Sequence, residues 1–159
     1  MKKTNLLFMV LSPVLIGILF NNFLVYIPLV IYVAPLLMLV YWFWVGTKFT
    51  ENVMNPIKAI VLANAIGIIS LAIYYWQFII VADQKRNLIL AGLSQMFTAP
   101  LSYLTARIGV IFEQTPNEIT QVTFLAMEVT GLILMVIAFS SGYFFKKNHS
   151  KQHYIKGSL

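Results

Sequence analysis

Five acidic side chains occur in the 159 residues, and Glu128 is the only one well inside a long apolar run, Leu125-Ala126-Met127-Glu128-Val129. An acid placed there inside a membrane costs a few kcal/mol to insert, so it counts as a functional candidate by default. On a helix, Asn117, Gln121, Glu128, Gly131, Ala138 and Gly142 fall near one small or polar stripe, with Leu, Val and Ile on the other faces. A carboxylate on such a stripe faces other helices or a wet cleft. It can serve as the proton- or cation-binding group of a transporter. Alternatively, it is a protonated acid hydrogen-bonded to a neighbouring helix, with Gln77 or Tyr74 as candidate partners, or an ion-pair partner of Arg107.

Other candidates are weaker. Asn64 stands among Ala63, Ala65 and Gly67, and the Ala63/Gly67 spacing suits close helix packing better than a substrate amide contact. Asn21 and Asn22 suit a turn more than a vestibule. His149 and His153 have the four-residue spacing of a two-histidine metal site, but no third ligand is near and Lys147 and Lys151 surround them. No metal site and no cofactor are expected.

Enzyme templates do not fit. There is no cysteine, and no HExxH, P-loop or GxGxxG pattern. The only aspartate, Asp83, and both histidines are predicted on opposite sides of the membrane, which breaks a serine–histidine–aspartate triad. One intramembrane acid cannot form an aspartyl dyad. The expectation is a non-enzyme. A lipid-directed activity could draw on Arg107, Glu113 and Glu118 at the outer surface, but three scattered charges in a loop are usually a solvated loop.

These residues must be positioned by elements that suit a bilayer. The chain is 60% hydrophobic and 10% charged, against about 25% charged for a usual globular protein, so a soluble or disordered chain is excluded. Residues 6–45 are almost continuously apolar, about 40 residues, twice what a bilayer of about 30 Å needs. They must form a hairpin turning between Asn21 and Pro28. No small-x-small cleavage site follows the first run, which reads as an uncleaved helix. The expected fold is all-α, a single polytopic membrane domain. Its four transmembrane helices lie at about 5–25, 28–46, 56–82 and 116–146. Asn55-Pro56 and Thr115-Pro116-Asn117-Glu118 are helix-start signals.

Residues 88–112 are long enough to span but hold Gly92, Ser94, Gln95, Thr98, Pro100, Ser102, Thr105, Arg107 and Gly109. After Pro100 the apolar positions 101, 104, 108 and 111 recur at helical spacing. The segment is expected to form two short amphipathic helices, lying on or dipping into the outer face. Charge supports this layout. With four spans, Lys2, Lys3, Lys48, Lys58, Lys146, Lys147, Lys151 and Lys156 are all cytoplasmic, together with a basic tail at 147–159. The net charge of +6 is then an orientation signal rather than a mark of nucleic-acid binding. N- and C-termini are both expected in the cytoplasm of a cell-membrane protein.

Two functions follow as expectations. One is an accessory, regulatory or immunity-type subunit that binds a membrane-protein partner or a second copy through the small-residue positions Gly131, Ala138, Gly142, Ala63 and Gly67. The other is an oligomeric small-solute or ion transporter or channel with Glu128 as its coupling residue.

Overall fold

The computed structural model describes residues 3–52, 55–113 and 120–156. All regular elements among them are helical. In chain order these are α1 (Lys3–Asn22), α2 (Pro28–Phe49), α3 (Pro56–Tyr75), α4 (Leu88–Leu93), α5 (Ser102–Gly109) and α6 (Gln121–Lys156). Three stretches, Pro28–Phe49, Pro56–Ile80 and Gln121–His149, are long and apolar enough to cross a membrane. The apolar part of α1, Leu6–Asn22, is shorter than that.

Local chemistry explains the boundaries. Ile27 is extended before Pro28, as a residue preceding proline prefers, and Pro28 opens α2 where its missing N–H has no partner to lose. Asn55 caps α3 as its sequence predicts, with Oδ1 accepting from the N–H groups of Ile57 at 3.0 Å and Lys58 at 3.2 Å. Pro13 lies inside α1 and frees the carbonyl of Met9. The Ser12 hydroxyl donates to that carbonyl at 2.7 Å and so replaces the lost backbone bond. At the far end of α3, residues Trp76–Ile80 widen into a π-helical turn, with the Val81 N–H reaching back to the Trp76 carbonyl. α6 is described from Gln121 onward, so the Thr115-Pro116-Asn117-Glu118 start signal lies outside the described residues. The helix runs past position 146 to Lys156 because no glycine or proline interrupts 147–156.

The core is built on α2 and α6, whose contact is the most extensive between helices. Gly46 of α2 lies against the Phe139 carbonyl, and Gly142 of α6 against the Phe43 carbonyl. Removing side chains at these two positions brings the backbones together, the form of packing that works without a hydrophobic drive between helices. Trp42 is fully buried at the centre. Its ring meets Phe97 edge-on and Phe139 at a tilt, both at 6.0 Å, and its Nε1 donates to Asn64 Oδ1 at 3.2 Å.

Segment 88–112 enters this core. α4 starts beside the end of α3, where the Asn87 N–H donates to Gln77 Oε1 at 2.9 Å. It ends in a run of turns whose Phe97 ring covers Gly67, near the middle of α3. α5 then returns along α6, with Thr98 and Thr105 against Gly131 and Gly109 against Met127 and Thr123. Entry and exit are therefore at the same end of the bundle. Gly67 is ten positions from Gln77, so the tip sits about 15 Å inside that end. The opposite end carries the α2–α3 connection with Lys48 and Lys58, and the C-terminal part of α6 with Lys146 and Lys147.

Candidate functional site

Glu128 and the tip of this helical hairpin form the site. Thr98 sits where α4 has ended and the 3-10 turn Ala99–Leu101 begins. Its hydroxyl donates to Glu128 Oε2 and also approaches the Gln95 carbonyl at 3.4 Å. Gly131, one turn further along α6, makes the approach possible: a Cβ there would lie 2.9 Å from Thr98 Cγ2. Thr105 is buried on the same side and returns its hydroxyl to the backbone of Leu101 and Ser102. Tyr74 lies within electrostatic reach of both Glu128 and Arg86. The arrangement is a half-buried carboxylate that accepts from one hydroxyl, that of Thr98, at the break between α4 and α5. Such a group can hold a proton or a small cation, since irregular backbone at depth supplies the oxygens that a regular helix keeps bonded.

The other sequence-derived candidates are placed differently. Gln77 does not reach Glu128. The π-helical turn swings it toward Asn87, where its side chain accepts the N–H that opens α4 and its carbonyl accepts Arg86 Nε at 3.0 Å. Arg86, which also pairs with Asp83 and lies 4.5 Å from the Phe78 ring, closes that corner. Gln77 is therefore an anchor for the hairpin. Arg107 does not pair with Glu128 either. It is exposed, donates to the Tyr103 hydroxyl at 2.9 Å, and Tyr103 meets Tyr32 of α2 at 4.6 Å. Asn64 is satisfied internally, accepting from Trp42 and donating to the Ile60 carbonyl at 2.9 Å, which is the packing role.

The small-residue positions are occupied within the chain. Ala63 is buried in the core and Gly67 is covered by Phe97 and Leu132. Gly131 faces the hairpin, Gly142 faces α2, and Ala138 packs against the core. At each of these positions the neighbouring helix or hairpin belongs to the same chain. Asn117 lies outside the described residues, and so does the side chain of His153. His149 rests against Phe145 at 4.5 Å, and no group of three metal-ligating side chains occurs among the described residues.

Sequence reasoning missed the role of Thr98 and of Phe97. The available signal was the polar cluster Ser94, Gln95 and Thr98 immediately before Pro100, in an otherwise apolar stretch. Compared with family models, curated proteins and solved structures, the chain matches none of them. What its helices define is an all-helical protein with three stretches able to cross a membrane.

Proposed function

We propose that the chain is a multi-pass cell-membrane protein with four crossings, α1 included. Both termini are cytoplasmic, and 88–112 is a re-entrant hairpin entering from the outer face. The clustering of lysines at one end of the bundle supports this orientation. A tip about 15 Å inside a hydrocarbon layer of about 30 Å lies near the midplane.

Within that frame the protein acts as a proton- or cation-coupled carrier or channel subunit for a small solute or ion, with Glu128 as the coupling residue. One observation carries this reading: Glu128 bonds to Thr98 at a break in the hairpin, not to a polar group on a continuous helix. A carboxylate kept for packing is served by a regular neighbouring helix. One that holds a discontinuous segment changes what it holds when it gains or loses a charge.

Reconstitution into liposomes with an entrapped pH dye and imposed proton, sodium or potassium gradients tests it. Glu128→Gln is expected to abolish flux with the protein still folded and inserted. Flux unchanged by that substitution removes the reading.

An accessory or regulatory subunit acting through helix association is the second reading. It is favoured by the outward stripe Leu7, Leu11, Leu15 and Leu19 on α1, each at least 40% exposed. A partner or second copy would seat there rather than on the glycines. Recovery of the monomer alone by affinity purification in mild detergent removes it.

A further inference from the structure

α1 and α2 are joined by a short connection, yet they barely touch. They meet at one polar point, where the Ser12 and Tyr41 hydroxyls lie 2.6 Å apart. From there toward the 24–26 turn they diverge around a cavity of about 430 Å³. Its walls are Ile16 and Phe20 of α1, Val30, Ala34 and Tyr41 of α2, and Pro100 at the tip of the hairpin. Tyr41 contributes the only side-chain oxygen or nitrogen to the lining, and Ser12 already engages it.

The cavity is a cleft open on one side, and its lining is almost wholly apolar. Three of its lining residues, Leu29, Val33 and Leu37, are 72%, 38% and 64% exposed and continuous with the apolar outer face of α2 at Leu36 and Val40. Along α2, positions 29–41 cover about 18 Å, close to one leaflet's half of a hydrocarbon layer of about 30 Å.

We propose that this cavity is a binding site for one acyl chain of a membrane phospholipid. The chain enters from the outer leaflet and lies lengthwise between α1 and α2, with Pro100 as part of its bed. The volume, the length along α2 and the apolar lining all suit a flexible hydrocarbon chain and give a polar headgroup nothing to bond inside. The bound chain fills the space between the two helices, and it supports the hairpin tip at Pro100.

The test uses the full chain in nanodiscs of phosphatidylglycerol carrying a diazirine midway along one acyl chain, with adducts mapped by mass spectrometry after photolysis. Adducts are expected on Ile16, Ala34 and Pro100 as well as on the outward Leu36 and Val40. Ala34→Phe, which fills the cavity, and Leu37→Trp, which blocks its exposed mouth, should each lose the Ile16 and Pro100 adducts and keep those on Val40. If Ala34→Phe does not fold, Leu37→Trp carries the comparison, since position 37 is at the surface. Adducts confined to outward residues in the unaltered protein overturn the proposal. So do Ile16 and Pro100 adducts that persist in a folded variant. The readout is independent of flux, so the carrier reading can fail without affecting it.

Discussion

Gly142 on α6 lies against the carbonyl of Phe43 on α2, so close that a side-chain carbon at 142 would overlap the oxygen. Because the obstacle is backbone, it cannot rotate away, and a larger residue must push two helices apart. Gly142→Ala is expected to destabilise the protein by about 1–3 kcal/mol, the usual range for overpacking. A lowered thermal midpoint in detergent measures it. Gly92 is the control: nothing lies within 4 Å of an added Cβ there, so Gly92→Ala should leave stability unchanged or raise it by about 0.5–1 kcal/mol through reduced backbone freedom.

Phe97 is the side chain that seats the hairpin tip, being almost fully buried between Trp42 and Gly67. Phe97→Ala should remove that anchor at about 3–5 kcal/mol, the range for large aromatic truncations. Faster hydrogen exchange is expected at 94–101, with the middle of α2 and α6 unchanged. Equal acceleration across all helices would mean that the ring supports the whole bundle and not the tip.

Asn64 is expected to matter for stability and not for flux. Asn64→Ala strands the Trp42 indole N–H in the core, at a penalty near the low end of the 1–3 kcal/mol range, about 1 kcal/mol. The emission of Trp42 should shift to shorter wavelength as its hydrogen bond is lost. A transport defect without a stability change would instead place Asn64 in the solute path.

The absence of cysteine gives a clean background for labelling. Single cysteines at Asp83 and Phe112 should react with an impermeant maleimide on intact cells. Those at Asn52 and His149 should react only after permeabilisation. Phe112 and Asp83 labelling from opposite sides would make 88–112 a true span and reverse the sense of α6.

Much of this fold was legible in residues whose local chemistry is self-sufficient. Asn55-Pro56 announced a helix start and Ile27-Pro28 a turn, because caps and prolines act on their own backbone. The break near Pro100 and the face formed by Thr105 and Gly109 were legible from spacing. The depth of the hairpin was not, since apolarity is the same whether a side chain faces lipid or protein. Phe97 reads as a membrane residue in both settings. Gln77 was misplaced because a single π-helical turn rotates everything after Tyr75, and hydropathy carries no trace of it. Gly131 and Gly142 of α6 lie against Thr98 and Phe43, and residue type alone cannot tell whether such a contact is within one chain or between two.

The pocket that receives Met96, Phe97 and Thr98 is assembled from both sides of the hairpin in the chain. Gly17, Trp42 and Gly67 come before it, and Glu128, Gly131 and Leu132 come after. During synthesis, residues 88–112 leave the ribosome before α6 exists, so half of their seat is missing when they first meet the membrane. The seat of the hairpin is therefore complete only once α6 is present. Glu128 is synthesised with the half of the seat that completes it, so the residue that holds Thr98 is also the last of the hairpin's polar partners to be made.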